Sequence, residues 1–351
     1  MFSELWRNFE KIKDKKIAII GVTGIVGKEM LKIFSDYYFP IENIDGYASS
    51  ESKGEMMSYN NTSHITVKDI KEADFTKYHI VLFSAGSEVS KEYAPKAVEC
   101  GCTVIDNTSY FRMDENVPLV VPEININTVK DSKLIANPNC STIQMVLPLK
   151  PLHDEFGLKE LVISTYQAAS GAGRRGVHAL LEEAKMTLDI HMICKEKNSP
   201  FTQQLAFNII PQIDKFGDLD YTKEEWKMIN ETKKILGLPN IDITATCVRV
   251  PVIRNHSVSV FAKFNTKVDI DKAKKVLDNY DGVIVKDDPK HEKYATPLEI
   301  NDDTYTDEVL VSRIRKHPTI ENGLNFWCVA DNVRKGAALN AIQIASLLNY
   351  D

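Results

Sequence analysis

The chain has no apolar run long enough to span a membrane and no cluster of basic residues. A membrane helix needs about 20 consecutive apolar residues, and no such run occurs among the 351 residues. The formal net charge is -6, with lysine and arginine spread along the chain, so nucleic acid is not an expected partner. The first 16 residues lack the apolar core of a signal peptide and predict a short amphipathic extension. We therefore expect a cytoplasmic protein without a membrane partner.

Cysteine is scarce, and its spacing does not match the usual zinc motifs. The six cysteines are Cys100, Cys102, Cys140, Cys194, Cys247 and Cys328. There are no paired CxxC motifs with following histidines, so no metal site is predicted. Most cysteines of a cytoplasmic chain are buried free thiols. A reactive cysteine therefore needs support from its own surroundings.

Strands and helices alternate in the first part of the chain. Short apolar runs predict buried strands, and periodic apolar residues between them predict helices. The predicted strands cover residues 16–20, 43–48, 80–83 and 103–106, and the predicted helices cover residues 25–37 and 88–100. This alternation predicts an α/β fold whose first domain is a Rossmann-type domain with a doubly wound parallel sheet.

The pattern changes after Cys140, which predicts a second domain. Strands are predicted at residues 161–167, 245–252 and 257–264, and long helices at residues 176–190 and 222–236. These elements predict an α+β domain in which helices cover an open sheet. A last helical pattern at residues 336–348 is expected to pack on the first domain. The predicted domains are residues 1–140 with 331–351, and residues 141–330.

Three glycines follow the first predicted strand with the spacing of a phosphate-binding turn. In Gly21-Val-Thr-Gly24-Ile-Val-Gly27 they let the backbone turn tightly and approach a pyrophosphate. The N–H groups and the dipole at the start of the following helix stabilise the phosphates. The spacing is a variant of GxGxxG, and its place after the first strand of a βαβ pattern predicts a dinucleotide site.

The end of the second predicted strand is expected to contact the adenosine ribose of the dinucleotide. The sequence there is Ser49-Ser50-Glu51. A carboxylate can accept hydrogen bonds from both ribose hydroxyls of NAD, whereas it repels the 2′-phosphate of NADP. Glu51 is equally well explained as a solvated loop carboxylate beside Lys53, so both interpretations stay open.

Cys140 is the cysteine whose surroundings support reactivity. The segment Asn137-Pro-Asn-Cys140-Ser-Thr142 follows a predicted strand and precedes a helical run. The helix dipole stabilises a thiolate at a helix N-terminus, and the N–H groups there can hold a developing oxyanion. Cys140 is therefore the predicted nucleophile.

Several further motifs follow one another in a fixed order. They are Ser84-Ala-Gly86, Phe111-Arg-Met-Asp114, Tyr166-Gln-Ala-Ala-Ser-Gly-Ala-Gly173, Glu224-Glu-Trp-Lys227, Arg249-Val-Pro-Val252 with His256, and Asp331-Asn-Val-Arg-Lys-Gly336. Together with the glycine turn and the Cys140 segment, they give the chain a resemblance to the aspartate-semialdehyde dehydrogenase family. The resemblance covers essentially the whole length, and its specificity lies in the number and order of the motifs.

The resemblance implies a reaction, a cofactor and an assembly. L-aspartyl 4-phosphate would be reduced and dephosphorylated to L-aspartate 4-semialdehyde with NADPH, through a thioacyl intermediate on Cys140. This step feeds lysine, threonine and methionine biosynthesis, including the diaminopimelate branch. The partners would be the small-molecule substrate and phosphate. The second domain would be the catalytic and dimerisation domain of a homodimer or homotetramer.

The resemblance also implies a role for each matched residue. His256 would be the general acid/base, a role suited by a pKa near neutrality, and Gln167 would orient the acyl group beside Cys140. The residues implied at the dinucleotide are Gly21, Thr23, Gly24, Ile25, Val26, Gly27, Ser49, Ser50, Ser84, Ala85, Gly86, Ser170, Gly171 and Asn332. No metal ligand is implied.

Charged residues are implied at the two ends of the substrate. Arg249 would clamp the α-carboxylate through its planar fork, and Glu224 would bind the α-ammonium. The departing phosphate would be bound by Lys227, Arg112 and Asn139. Glu224 and Lys227 are three residues apart, so a helix would present them on one face.

Two positions depart from the family pattern. Glu51 stands where the family commonly has an arginine, and Ser87 stands where a second glycine often follows Gly86. Because of Glu51 we expect NAD to be accepted as well as NADP.

Two other functions stay open. One is a reductase of N-acetyl-glutamyl phosphate. The amine of that substrate is acetylated and carries no charge, so Glu224 would not be needed to bind it. The other is a dinucleotide-binding sensor, which would not need Cys140 or His256. A glyceraldehyde-phosphate type enzyme is disfavoured, because its Ser-Cys-Thr-Thr context is absent.

Overall fold

The computed structural model describes residues 9–190, 195–300 and 307–350. Two compact units divide the chain, one with Met1–Asn139 and Ala337–Asp351, the other with Cys140–Gly336. The part of the predicted extension before residue 9 lies outside the described residues, as does Cys194. None of the described helices is both long and apolar enough to cross a membrane.

The first unit contains a six-stranded sheet in which every pair of neighbouring strands is parallel. The whole unit has eight strands among the described residues: β1 (Ile17–Ile20), β2 (Ile44–Ala48), β3 (Met56–Ser58), β4 (His64–Thr66), β5 (Lys68–Asp69), β6 (Ile80–Phe83), β7 (Thr103–Asp106) and β8 (Leu134–Ala136). The strand order is β5-β2-β1-β6-β7-β8, and β3 pairs with β4 alone. The helices of this unit are α1 (Ile25–Asp36), α2 (Ser87–Glu99), α3 (Pro122–Asn125) and α8 (Leu339–Leu347).

Both faces of this sheet are covered. Successive side chains of a strand point to opposite faces, so the strand β1 contributes to two different cores. Ile19 packs in a cluster with residues of α1 and α8, whereas Ile20 packs in a cluster with residues of α2. All four residues of β1 are buried. The predicted doubly wound Rossmann-type sheet is confirmed.

The second unit contains a mixed six-stranded sheet. Its strands are β9 (Leu158–Gln167), β10 (Asp242–Arg249), β11 (His256–Phe264), β12 (Val283–Val285), β13 (Val309–Lys316) and β14 (Gly323–Ala330). Its helices are α4 (Cys140–Phe156), α5 (Gly173–Ile190), α6 (Lys223–Leu236) and α7 (Ile270–Asp278). The strand order is β10-β9-β11-β14-β13-β12, with parallel pairs only at the two ends.

Helices cover one face of the second sheet and leave the other open. Helices α4, α6 and α7 contact its strands. Along β9, Leu161 and Ile163 are buried, whereas Val162 between them is 43% exposed and Tyr166 is half-buried. The predicted α+β domain with an open sheet is confirmed.

Candidate active site

Three polar side chains meet at one edge of the second sheet. Strands β9 and β10 run parallel and end side by side at Gln167 and Arg249, which are partners in register. Strand β11 runs antiparallel to β9, so it begins at the same edge with His256. All three side chains are buried. Because β11 runs in the opposite direction, His256 lies at the same sheet edge as Gln167 and Arg249, although a turn follows Arg249 in the sequence.

His256 is fully buried and has a defined tautomer. Its Nδ1 accepts a hydrogen bond from the backbone N–H of Ala168 over 3.0 Å. A neutral ring whose Nδ1 accepts carries its proton on Nε2, and Nε2 has no hydrogen-bond partner among the described residues. The start of β11 is fixed as well, because the Gln144 side chain donates to the His256 carbonyl oxygen over 3.1 Å. His256 therefore offers one ring N–H as a donor.

The surroundings of His256 oppose its protonation. Burial lowers the pKa of His256 from its usual 6.5 to about 3, with the positive charge of Arg249 acting in the same direction and Glu224 against both. A buried imidazolium would lose its hydration beside a guanidinium. The pKa near neutrality expected from the sequence is therefore wrong for this environment. His256 is neutral over the physiological pH range.

Arg249 is held by the loop that follows β9. Its Nη1 donates to the carbonyl oxygen of Ala168 over 2.7 Å, and its guanidinium carbon lies 5.7 Å from the ring centroid of Phe201. Burial lowers the pKa of Arg249, while the negative charge of Glu224 and the Cys140 thiol raise it. Arg249 therefore lies within electrostatic range of both the predicted nucleophile and the predicted ammonium partner.

Glu224 connects Gln167 to helix α6. The Gln167 amide nitrogen donates to Glu224 Oε1 over 3.1 Å, and Lys227 Nζ lies 3.0 Å from Glu224 Oε2. Lys227 also contacts Asp214 at 3.2 Å. The expectation that Glu224 and Lys227 share one helix face is confirmed. A capping box of Thr222 with Glu225 fixes the start of α6, where Glu224 and Lys227 lie.

Cys140 is the first residue of α4, where the helix dipole favours a thiolate. It is half-buried, whereas Cys102, Cys247 and Cys328 are buried. Burial raises the pKa of Cys102 to about 11 and that of Cys328 to about 12, which makes them poor nucleophiles at neutral pH. In the described parts of the chain, no group of three or more histidine, cysteine or acidic residues could hold a metal ion.

Two glycines pack directly against site residues, where a larger side chain would collide with them. A Cβ on Gly336 would lie 2.9 Å from the Cβ of Cys140. A Cβ on Gly171 would lie 2.7 Å from Arg249 Nη1 and 3.0 Å from His256 Nε2. Cβ atoms essentially never come this close to other heavy atoms. A Cβ at position 336 would therefore push on Cys140, and one at position 171 would shift the Arg249 guanidinium.

The loop around Gly171 is tied to the residues that follow β14. The Ser170 hydroxyl donates to the Asn332 side-chain oxygen over 3.0 Å. The backbone N–H of Asn255 donates to the same oxygen over 3.0 Å. Asn332 therefore holds together the loops that precede α5 and β11, while the nicotinamide contacts expected for Ser170, Gly171 and Asn332 stay predictions.

Arg112 and Asn139 belong to the first unit. Arg112 is buried and donates to the Asn107 carbonyl oxygen over 2.9 Å. Asn139 is buried and is the residue directly before Cys140. Their expected contacts with phosphate stay predictions.

The glycine turn of the first unit has the geometry of a phosphate-binding turn. Gly21 has φ +88°, and a Cβ on it would lie 2.8 Å from the backbone of Ser84 and Ala85. A Cβ on Gly27 would lie 2.4 Å from the Gly21 carbonyl oxygen, so α1 packs tightly on the turn. Gly24 caps α1 without a side-chain hydrogen bond. The start of α1 is thus left open to a pyrophosphate, which fits a dinucleotide.

Residues at the ends of β2 and β6 flank this turn. Gly21 and Val22 donate their N–H groups to the Tyr47 carbonyl oxygen in β2 over 2.8 and 3.1 Å. Ser84 directly follows β6 and donates its N–H to the Ile20 carbonyl oxygen of β1 over 2.8 Å. The predicted segments 49–50 and 84–86 therefore lie at the carboxyl edge of this sheet. Thr23, Ile25 and Val26 lie in the turn and the first helical turn.

Three contributors to the site were not identified from the sequence. Ala168 acts through its backbone N–H and carbonyl, and Gly336 through the lack of a side chain, and neither leaves a chemical signature. Gln144 is a buried polar residue in the otherwise apolar run of α4. Of these three contributors, only Gln144 left a recognisable signal in the sequence, namely a polar residue within an apolar run.

Two family profiles match consecutive parts of the chain. The semialdehyde dehydrogenase NAD binding domain matches residues 16–132, and the semialdehyde dehydrogenase dimerisation domain matches residues 149–335. The aspartate-semialdehyde dehydrogenase of Campylobacter jejuni is 49% identical over 338 residues, which are 95% of this chain and 97% of that protein. The aspartate-semialdehyde dehydrogenase of Aquifex aeolicus is 47% identical over 341 residues, with 95% and 97% covered.

Solved structures agree with these relatives. Aspartate semialdehyde dehydrogenase II from Vibrio cholerae superposes with a TM-score of 0.89 and 43% identity, covering 95% of this chain and 98% of that one. A second crystal structure of that enzyme, complexed with ASA, matches with the same TM-score and 42% identity. The similarity is high and spans both units. The chain belongs to the aspartate-semialdehyde dehydrogenase family.

Proposed function

We propose that this enzyme reduces and dephosphorylates L-aspartyl 4-phosphate to L-aspartate 4-semialdehyde through a thioester on Cys140. The observation that carries the proposal is the placing of one half-buried cysteine at a helix N-terminus within electrostatic range of Arg249. Gln167 and His256 lie at the same sheet edge as Arg249. These residues supply a nucleophile, a cation that binds an anionic group, and a hydrogen-bond donor, and acyl transfer requires all three.

The charges of the second unit fit a zwitterionic substrate. Among the described residues the Arg249 side chain donates only to Ala168, so the rest of its fork can clamp the α-carboxylate. Glu224 can take the α-ammonium in exchange for its contact with Lys227. Lys227 is then free to bind the phosphate, a role that the family resemblance also implies for Arg112 and Asn139.

The reaction follows from these positions. The Cys140 thiolate attacks the acyl carbon, the bond from carbon to the phosphate oxygen breaks, and phosphate leaves as a thioester forms. A reduced nicotinamide dinucleotide bound by the first unit would supply the hydride that this reduction requires. His256 Nε2–H donates to the oxygen that gains negative charge and gives it a proton. When that proton returns to His256, the carbon–sulfur bond breaks, which frees the semialdehyde and restores the Cys140 thiolate.

A neutral His256 suits this role. The proton on Nε2 can be donated and taken back while Nδ1 keeps its bond to Ala168. Gln167 is held by Glu224 beside this donor and orients the acyl group. The nearby guanidinium of Arg249 makes transfer of the Nε2 proton to a developing alkoxide easier, because its positive charge stabilises the negative ring that the neutral imidazole leaves behind.

The first unit holds the nicotinamide dinucleotide. Gly21, Gly24 and Gly27 let the backbone and the start of α1 approach the pyrophosphate. The segments 49–50 and 84–86 flank it at the ends of β2 and β6. The family resemblance implies NADP as the cofactor.

We also propose a homodimer formed through the open face of the second sheet, within the region that matches a dimerisation domain. Val162 is 43% exposed there, and the half-buried rings of Tyr166 and Trp327 lie 5.3 Å apart. Glutamate in place of Val162 is expected to shift the mass measured by light scattering to that of one chain. An unchanged mass would contradict this interface. The cytoplasmic location stays a prediction.

The reaction is tested in the oxidative direction. Aspartate semialdehyde, phosphate and the oxidised dinucleotide are mixed with wild-type enzyme and with the variant Cys140→Ala, and nicotinamide reduction is followed. Phosphate-dependent reduction that is lost in the variant supports the proposal. Folded wild-type enzyme that turns over N-acetyl-glutamate semialdehyde instead would favour the acetylated substrate. No turnover of either aldehyde would favour the sensor.

A further inference from the structure

The end of β2 lies directly beside the phosphate-binding turn. The Tyr47 carbonyl oxygen accepts from the N–H groups of both Gly21 and Val22. β2 ends at Ala48, and Ser50–Ser52 form a short 3-10 helix after it. In dinucleotide-binding folds the adenosine ribose lies at this strand end, with its hydroxyls facing the residues that follow. The ribose subsite of this chain is therefore built by residues 49–53.

The central side chain of that short helix is a carboxylate in a charged neighbourhood. Glu51 is exposed, and it takes part in no ion pair among the described residues. A second carboxylate lies close by, because Asp69 of β5 pairs with Ala48 at the end of β2. The Ser50 hydroxyl hydrogen-bonds Asp69 and lowers the pKa of its carboxyl.

Two lysines of this edge are engaged by other carboxylates. Lys53 Nζ lies 2.5 Å from Glu72 Oε1, and Lys68 Nζ lies 2.7 Å from Asp45 Oδ1. Glu72 raises the pKa of Lys53, because the lysine charge is stabilised by that carboxylate. A 2′-phosphate placed here would add negative charge beside the exposed carboxylate of Glu51.

We propose that Glu51 makes this enzyme select NAD(H) over NADP(H). The inference rests on the proposed dinucleotide site of the first unit and departs from the NADP that the family resemblance implies. The carboxylate accepts hydrogen bonds from the two ribose hydroxyls and repels a phosphate in their place. Repulsion between such charges at a protein surface gives a preference on the order of tenfold or more at low salt.

The inference is tested by binding, apart from catalysis. Isothermal titration calorimetry of the full-length enzyme with ADP-ribose and with 2′-phospho-ADP-ribose gives the ratio of the two dissociation constants. Wild-type enzyme is expected to bind ADP-ribose about tenfold more tightly, and Glu51→Arg is expected to reverse the ratio. The control Glu99→Arg makes the same charge change at the exposed end of α2, before β7, and is expected to leave the ratio unchanged.

Steady-state kinetics give the second readout. The ratio of kcat/KM for NAD to that for NADP is expected to exceed one in wild-type enzyme, to fall below one in Glu51→Arg, and to decrease as salt screens the repulsion. Tighter binding of the 2′-phosphorylated ligand by wild-type enzyme, or a ratio that Glu51→Arg leaves unchanged, would overturn the inference alone. Folded enzyme that binds neither ligand would overturn the dinucleotide site itself, and this inference with it.

Discussion

The backbone N–H of Ala168 donates to Nδ1 of His256 over 3.0 Å, and this bond fixes which ring nitrogen carries the proton. The same residue accepts from Arg249 through its carbonyl oxygen. One peptide segment after β9 therefore orients both the ring and the guanidinium. The ring N–H that serves as the donor of the site is thus set by a main-chain group, which among single substitutions at position 168 only proline would remove.

A titration of stability tests the buried state of His256. The folded pKa is about 3, against 6.5 for an ordinary histidine, so below pH 6.5 the unfolded chain binds a proton that the folded chain does not. The stability contribution is complete above pH 6.5 and is lost as pH falls toward 3, at up to about 1.4 kcal/mol per pH unit. Urea unfolding of wild-type enzyme and of His256→Asn at pH 7, 6 and 5 isolates this loss, because the other groups titrate in both. Parallel pH dependences would show that His256 is not buried in this way.

Substitution of Gly336 by alanine should displace the nucleophile. The new Cβ would lie 2.9 Å from the Cys140 Cβ and 3.3 Å from the Asp331 carbonyl oxygen. A shift of the nucleophile by a fraction of an ångström is expected to lower kcat on the order of 10- to 100-fold, with the enzyme still folded. Gly217→Ala is the matched control, since its Cβ meets nothing nearer than 3.8 Å. Equal activity of the two variants would count against the packing of Gly336 on Cys140.

The fork of Arg249 should matter more than its charge. Lysine at this position keeps the charge but loses the planar pair of donors. Arg249→Lys is expected to raise the KM for aspartate semialdehyde on the order of tenfold or more, as a charge-assisted hydrogen bond is lost. The control substrate is 3-aminopropanal, which has no α-carboxylate, and its kcat/KM should change little. A similar loss with both aldehydes would assign Arg249 to the loop of Ala168 alone.

Glu224 should discriminate between substrates with and without an amine. Glu224→Gln keeps an acceptor for Gln167 but removes the negative charge. The kcat/KM for aspartate semialdehyde is expected to fall on the order of 10- to 100-fold, because a charge-assisted bond to the ammonium contributes about 1.5–3 kcal/mol. Succinate semialdehyde lacks the amine, and its kcat/KM should stay nearly constant. If both substrates lose activity equally, Glu224 acts by holding Gln167 rather than by binding the ammonium.

Much of the fold could be predicted from the sequence, because strands buried on both faces leave continuous apolar runs. The strands β1, β6 and β7 were located within one residue in this way. Strand β13 was missed, since a bulge between Ser312 and Arg315 interrupts its period of two, with Arg313 at φ +54°. Strand β10 was expected to reach residue 252, but it ends at Arg249, shortly before Pro251.

The identities of the site residues could be predicted from the sequence, whereas their burial, pKa values and backbone contacts could not. Motif order pointed to the cysteine, glutamine, arginine and histidine that the sheet edge and α4 present. The low pKa of His256 was not predictable, because it depends on burial and on a guanidinium brought close by strand pairing. Contacts made by backbone groups, as at Ala168, were likewise invisible in a list of residue types.

The thioester on Cys140 is the central claim, and a single-turnover experiment tests it most directly. Enzyme is mixed with aspartate semialdehyde and the oxidised dinucleotide without phosphate, and nicotinamide reduction is followed by stopped flow, with mass spectrometry of the quenched protein. We predict a burst of about one reduced dinucleotide per active site, a matching acyl adduct on the peptide that contains Cys140, and neither in Cys140→Ala. A burst of the same size in Cys140→Ala, or a burst without an adduct on that peptide, would contradict the account.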